Sequence, residues 1–179
     1  QLDVHLTLFL RQAQRLAKFA NDERVTLIDG DIQDYDAVNT AMKGQDLVYL
    51  ALVDHTAANV LTKNMIKALT ENGVQRVVAS SLLGLYNEVP GEYGRWNYQM
   101  VKTGLPAAIA ADQLLANSGL AYTTLRFPWL NDCDEVKYVI THKNDPYLGV
   151  SGSRQSMADV IVMIVADFDY LKNDSVGIA

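Results

Sequence analysis

The strongest constraint on this chain is an alternation. Five apolar, β-rich segments recur, alternating with helical spacing almost without break until the pattern becomes less regular after the fifth. The segments are VHLTLFL (4–10), RVTLIDGDI (24–32), DLVYLALV (46–53), QRVVASSL (75–82) and AYTTLRFP (121–128). DLVYLALV is apolar almost throughout, the mark of a parallel strand covered on both faces. Between the segments, residues 12–20 read as a helix. In 34–44, Asp34 caps an apolar face of Ala37, Val38, Ala41 and Met42, and Gly44 stops it. Residues 57–72 read as a long amphipathic helix ended by Asn72-Gly73, and 106–118 as an Ala-rich helix ended by Gly119. The polar stretch 84–104 reads as a long loop with some helix. VKYVITH is a short strand, 156–168 a last helix and SVGIA a last strand. Repeated strand–helix–strand units demand right-handed crossovers and a parallel sheet. The expectation is an α/β fold, a doubly wound parallel sheet, in one domain over residues 1–179.

Charge and composition exclude several classes. The net charge of -6 and the lack of any basic cluster argue against nucleic-acid binding. No apolar run approaches the roughly 20 residues needed to span a bilayer. The single cysteine, Cys133, lies among carboxylates in NDCDE and reads as a bystander in a reducing, cytoplasmic compartment. The three histidines lack metal-ligand spacing, so no metal is expected.

In a doubly wound dinucleotide fold the strand order is 3-2-1-4-5-6, with a glycine-rich turn after the central first strand. Here VHLTLFL runs into LRQAQR, with no G-x-G-x-x-G anywhere. The pairs Gly91/Gly94 and Gly149/Gly152 have only G-x-x-G spacing and read as loop glycines. If VHLTLFL is instead the second strand, the rest falls into register. The expectation is a Rossmann-like sheet whose first βα unit is absent from the given sequence, with roughly 30 more residues before it, the size of one such unit.

Four motifs carry a resemblance: GDIQD (30–34), VVASSLLG (77–84), LLANSGLAYTTLRFPWL (114–130) and SRQSMADV (153–160). Together they resemble the atypical short-chain dehydrogenase/reductase group, specifically its NmrA-like NAD(P)H-binding proteins. The resemblance implies a cofactor site. Arg11 matches the position that pairs with a 2′-phosphate, which implies NADP rather than NAD; otherwise it is a solvated strand-end arginine. Asp31 and Ile32 match a pair lying along adenine, though Asp31 also suits a turn leading into a helix. Ala51 and Leu52 match residues beside the adenosine ribose and diphosphate, or are plain core. Ser80 and Ser81 fall where related dehydrogenases place a serine that holds the substrate carbonyl. Phe127 and Pro128 match the segment flanking nicotinamide, and Arg126 reads as structural.

Catalysis in that superfamily uses Y-x-x-x-K, whose tyrosine and lysine share one helix face. Tyr98 and Lys102 have that spacing after Ser81. Counted back from LLANSGLAYTTLRFP, however, the family register places the two at Gly104 and Ala108. Gly104 and Pro106 also suggest that a helix starts afresh there, leaving Tyr98 and Lys102 in a preceding loop or short helix. Tyr93 is a second candidate base, with Asn97 in place of its lysine. The stretch with Tyr86, Tyr93, Trp96 and Tyr98 also suits an aromatic substrate lid. His55 follows the 46–53 strand, where ligands bind in such folds, and reads as a turn residue or a contact to substrate or cofactor. Two functions follow from the resemblance. One is an NADPH-dependent oxidoreductase acting on a small carbonyl or quinone-like acceptor. The other is a non-catalytic NmrA-like redox sensor that regulates a protein partner. The apolar helices 57–72 and 106–118 could form a homodimer face.

Overall fold

The computed structural model describes residues 2–179. Nine strands and five α-helices follow one another in chain order among them. They are β1 (Leu6–Leu10), β2 (Val25–Asp29), α1 (Tyr35–Ala41), β3 (Leu47–Leu50), α2 (Val60–Glu71), β4 (Arg76–Leu82), α3 (Gly91–Val101), α4 (Leu105–Ala116), β5 (Ala121–Phe127), β6 (Trp129–Asn131), β7 (Ile140–Thr141), β8 (Ser151–Ser153), α5 (Arg154–Ala166) and β9 (Asp174–Ile178). The main sheet runs β3-β4-β5-β9-β7, parallel except for the edge strand β7. β1 and β2 form a separate parallel pair, and β6 and β8 a small third sheet.

The expected α/β architecture is present, with helices on both faces. One core joins α1, α2 and α4 to the sheet through Val38, Met42, Met65, Leu69, Val77, Ala79 and Leu115. The other joins α5 to the opposite face through Val78, Leu125, Met157, Val160, Ile164 and Val176. Alternation along β4 sends Val77 and Ala79 to one face and Val78 to the other, as a strand buried on both sides requires. The turn signals act as read. Asp34 accepts from the N–H groups of Asp36 and Ala37 at 3.1 Å, and Gly73 and Gly119 end α2 and α4 with φ of 71° and 79°.

β1 and β3 are not hydrogen-bonded to each other; the described link near them is Gln45 Nε2 donating to Thr7 Oγ1 at 3.3 Å. A break thus separates the β1-β2 pair from the β3-β4-β5-β9-β7 sheet.

Two local readings need correction. Residues 13–19 are a kinked 3-10 segment, not a regular helix. Gln12 enters it with φ 60°, and the Ala13 N–H donates to Asp29 Oδ2 at 2.9 Å. Gly91 and Gly94 are not loop glycines but lie in α3, and Gly152 lies in β8. A Cβ on Gly94 would collide with the Val89 carbonyl oxygen, so a side chain there would block the approach of the preceding loop.

Candidate functional site

The candidate site runs along the carboxyl ends of the strands. On one side of the break, Arg11 is exposed at the tip of β1, and no ion pair engages it among the described residues. Asp31 follows β2 and accepts the Gln33 N–H at 2.9 Å, while Ile32 packs on the core beneath. Across the break, Ala51 is exposed at the end of β3 and Leu52 packs against the same core. The turn at Asp31 is thus also a local hydrogen-bonded motif, as its residue type allows.

Ser80 and Ser81 end β4, level with Leu125 and Arg126 of β5. Successive residues face opposite ways. Ser80 Oγ lies 2.7 Å from the Tyr49 hydroxyl, a phenol whose pKa burial raises and the serine partly lowers. Ser81 shares the Val77–Ala79 face and looks toward α4. There a cavity of about 20 Å³ is lined by Ser81, Asp54, Thr62, Ala108, Asp112 and Thr124, among others. Its lining is largely apolar, yet two polar atoms of lining residues, Asp112 Oδ1 and Thr124 Oγ1, are buried without a partner. The other Asp112 oxygen accepts the Tyr86 hydroxyl, which burial and that carboxylate both push toward the neutral phenol.

Sequence reasoning missed Asp54. Its carboxylate is buried and accepts from Thr56 (N–H 2.8 Å, hydroxyl 2.6 Å) and Thr62 (2.8 Å for both). Burial alone would raise its pKa, but these four donors outweigh that and hold it low. The signal was present as D-x-T directly after an apolar strand.

The second missed residue is Glu88. It forms a buried pair with Arg126 at 2.7 Å, with side-chain exposures of 2% and 0%. Glu88 also accepts the Gly84 and Tyr86 N–H groups at 3.0 and 2.9 Å. Arg126 donates to the carbonyls of Thr141, His142 and Ser175, which bears out its structural reading. This knot fixes the loop between β4 and α3, just beyond Ser81.

Phe127 is half-buried and Pro128 buried, and Trp129 follows them at 41% exposure. Trp129 Nε1 donates to Asn97 Oδ1 at 3.2 Å, and Asn97 Nδ2 donates to the Leu83 carbonyl at 3.1 Å. Asn97 thus ties α3 to the end of β4. Trp96 lies between Tyr93 and Trp129, with ring centroids 5.7 and 5.0 Å away, offset and tilted as aromatic quadrupoles favour.

Tyr98 and Lys102 sit at the end of α3 rather than in a loop. Tyr98 is 53% exposed, and Lys102 Nζ donates to Gln99 Oε1 at 2.8 Å. Neither lines the cavity at Ser81; Ala108, one of the two register positions, does. Cys133 is free and exposed. No metal-holding group of His, Cys, Asp or Glu occurs among the described residues, and no described helix is long and apolar enough to cross a membrane.

Comparison with known proteins identifies this layout. A short-chain dehydrogenase/reductase from Veillonella parvula DSM 2008, solved in complex with NADP, is 24% identical with a TM-score of 0.90; the match covers 99% of this chain and 83% of that one. A Rossmann-fold NAD(P)-binding family protein from Shigella flexneri is 30% identical, with a TM-score of 0.73, over 97% of this chain and 79% of that one. ChuY, an anaerobillin reductase from Escherichia coli O157:H7, is 18% identical with a TM-score of 0.74, over 97% and 84% of the two chains. No curated protein matches the chain. The family model described as NAD(P)H-binding matches residues 1–168, and it shows that the chain belongs to that NAD(P)H-binding family.

Proposed function

We propose that this protein is an NADPH-dependent oxidoreductase acting on a small carbonyl or quinone-like acceptor. The observation that supports the reading is that the candidate residues fall at or just beyond the carboxyl ends of their strands. Arg11 and Asp31 stand on one side of the break, and Ser80, Ser81, Phe127 and Pro128 on the other. The donor set fits the two ends of a dinucleotide. An unpaired guanidinium suits a 2′-phosphate, a carboxylate suits the adenine amine, and serine hydroxyls beside an apolar Phe-Pro segment suit the nicotinamide end and a carbonyl. When bound, a reduced nicotinamide supplies hydride; the protein binds, orients and excludes water. The half-exposed Trp96 and Trp129 rings supply flat apolar surface just beyond Pro128, which supports a planar acceptor.

The test is calorimetric titration of the intact gene product with NADPH and NADH. A charge-assisted contact is worth about 1.5–3 kcal/mol, roughly ten- to hundredfold in affinity. Arg11→Glu is expected to weaken NADPH by that factor and leave NADH within threefold. Equal affinity of the unmodified protein for the two cofactors would refute the NADP assignment.

One observation favours a second reading, the non-catalytic redox sensor. The Tyr98/Lys102 pair lies on the surface, with its ammonium engaged by Gln99. Turnover against a panel of quinones and aldehydes separates the two, since a sensor binds NADPH without consuming it.

A further inference from the structure

A second group lies against the helix that helps line the Ser81 cavity. His55 directly follows Asp54 beyond the carboxyl end of β3 and is exposed. Asp54 lines the cavity with Ser81 and Ala108, and its four bonds to Thr56 and Thr62 fix the backbone that carries His55. The imidazole lies against Gly104: a Cβ there would stand 2.7 Å from His55 Cε1 and 3.0 Å from Nδ1. The Gly104 carbonyl accepts the Ala108 N–H at 3.0 Å, so the two residues share one face of α4, a turn apart. Ala108 lines the cavity with Ser81, and Gly104, one turn earlier on α4, leaves room for the ring. The other histidines lie at the opposite end of the sheets. His5 bonds Thr26 near the start of β2, and His142 bonds Asp174 at the start of β9.

We propose that His55 is the proton donor to the acceptor oxygen, positioned by the side-chain-free Gly104 and paired with Ser81 as the group that holds that oxygen. This rests on the oxidoreductase reading above. An imidazolium can hand a proton to a developing alkoxide, and an exposed ring can recover it from water. In the reduction, the carbonyl carbon takes the hydride and its electron pair from the reduced nicotinamide. The C=O π pair moves to oxygen, and oxygen takes the proton from the His55 imidazolium. The products are an alcohol, oxidised nicotinamide and neutral imidazole, and solvent returns the proton.

The experiment uses His55→Gln, His55→Gly and Gly104→Ala in the intact gene product, with NADPH, NADP and a panel of aldehydes and quinones. General acid catalysis contributes about 10²–10⁴-fold. His55→Gln is therefore expected to bind NADPH within twofold of the unmodified protein and to reduce the best carbonyl acceptor at least a hundredfold more slowly. Added imidazole should restore much of the loss in His55→Gly. Gly104→Ala, which displaces the ring, should lose rate with no loss of cofactor binding. Independently of turnover, the ring signals of His55 in an NMR spectrum should move on saturation with NADP, while those of His5 and His142 stay in place. Turnover of His55→Gln within threefold of the unmodified protein overturns the proposal and leaves the oxidoreductase reading intact. Unmoved His55 signals on NADP saturation overturn it as well. Absence of turnover in the unmodified protein while NADPH still binds overturns both.

Discussion

Replacement of Glu88 by Gln probes the knot that holds the loop beyond Ser81. The Glu88 and Arg126 side chains are almost wholly buried and lie 2.7 Å apart. The glutamate also serves the Gly84 and Tyr86 N–H groups, while Arg126 keeps three carbonyl partners after the change. An amide has one acceptor oxygen where the carboxylate had two, so at least one donor is orphaned, and the guanidinium stays buried without its counter-charge. Breaking such a pair costs about 3–5 kcal/mol, a large share of a typical stability of about 5–15 kcal/mol. For a chain of this size that is a fall in Tm of roughly 6–20 °C. Urea unfolding followed by circular dichroism measures it directly. The double variant Glu88→Gln/Arg126→Met should be less destabilised than the sum of the singles by at least about 2 kcal/mol, because it removes the stranded charge. The pH dependence has a fixed sign. Burial would raise the Glu88 pKa, but the Gly84 N–H, Arg126 and the Tyr86 N–H together hold it below 4.5. A carboxylate lowered on folding contributes stability that is present above its unfolded pKa and lost as pH falls through the folded one. The gap between the unmodified protein and Glu88→Gln should therefore narrow below about pH 4. A Glu88→Gln variant within about 1 kcal/mol of the unmodified protein at pH 7 would refute the account.

Two further outcomes follow from packing. Gly94→Ala should destabilise by about 1–3 kcal/mol, because its methyl group meets the Val89 carbonyl oxygen rather than open space; an unchanged urea midpoint would contradict this. Asn97→Ala should cost about 1–3 kcal/mol by orphaning the Leu83 carbonyl and the Trp129 N–H. Since the chain has two tryptophans and both lie in this cluster, its emission spectrum should shift to the red, and an unshifted spectrum would argue against the Asn97 clamp.

What the sequence reveals depends on how local its cause is. The strands were legible because a strand covered on both faces must be apolar nearly throughout, as in DLVYLALV and QRVVASSL. The caps at Asp34, Gly73 and Gly119 were legible because one residue supplies each. Helix α3 was not, because Gly91 and Gly94 signal a loop by propensity, and the reason for Gly94 is a contact with Val89 that no local window contains. Residues 12–20 carry helical spacing, yet the Asp29 carboxylate captures the Ala13 N–H across 16 positions and turns the chain into a 3-10 segment. In the site, the register of Ser80 and Ser81 came from the strand ends and is reproduced by their pairing with β5. Glu88 was invisible, since a glutamate in a polar loop looks solvated, and only the fold shows it buried against Arg126. Tyr98 and Lys102 show the opposite failure: a spacing of four is satisfied on the outside of a helix as easily as at a cavity.

The break between β1 and β3 bears on which of the described strands open first. β1 and β2 bond each other but not β3, and β1 is half-exposed along most of its length, whereas Val77 and Val78 at the heart of β4 are sealed. Among the described residues the pair is held chiefly through the packing of Phe9 and of α1 on the shared core. Its amides are therefore expected to exchange with solvent sooner than those of β4, β5 and β9. A dinucleotide bound as proposed, with Arg11 at one end and Ser80 at the other, would span both units. By mass action it would close the seam, so occupancy of the site is expected to be recorded most clearly in the protection of strands far from the chemistry.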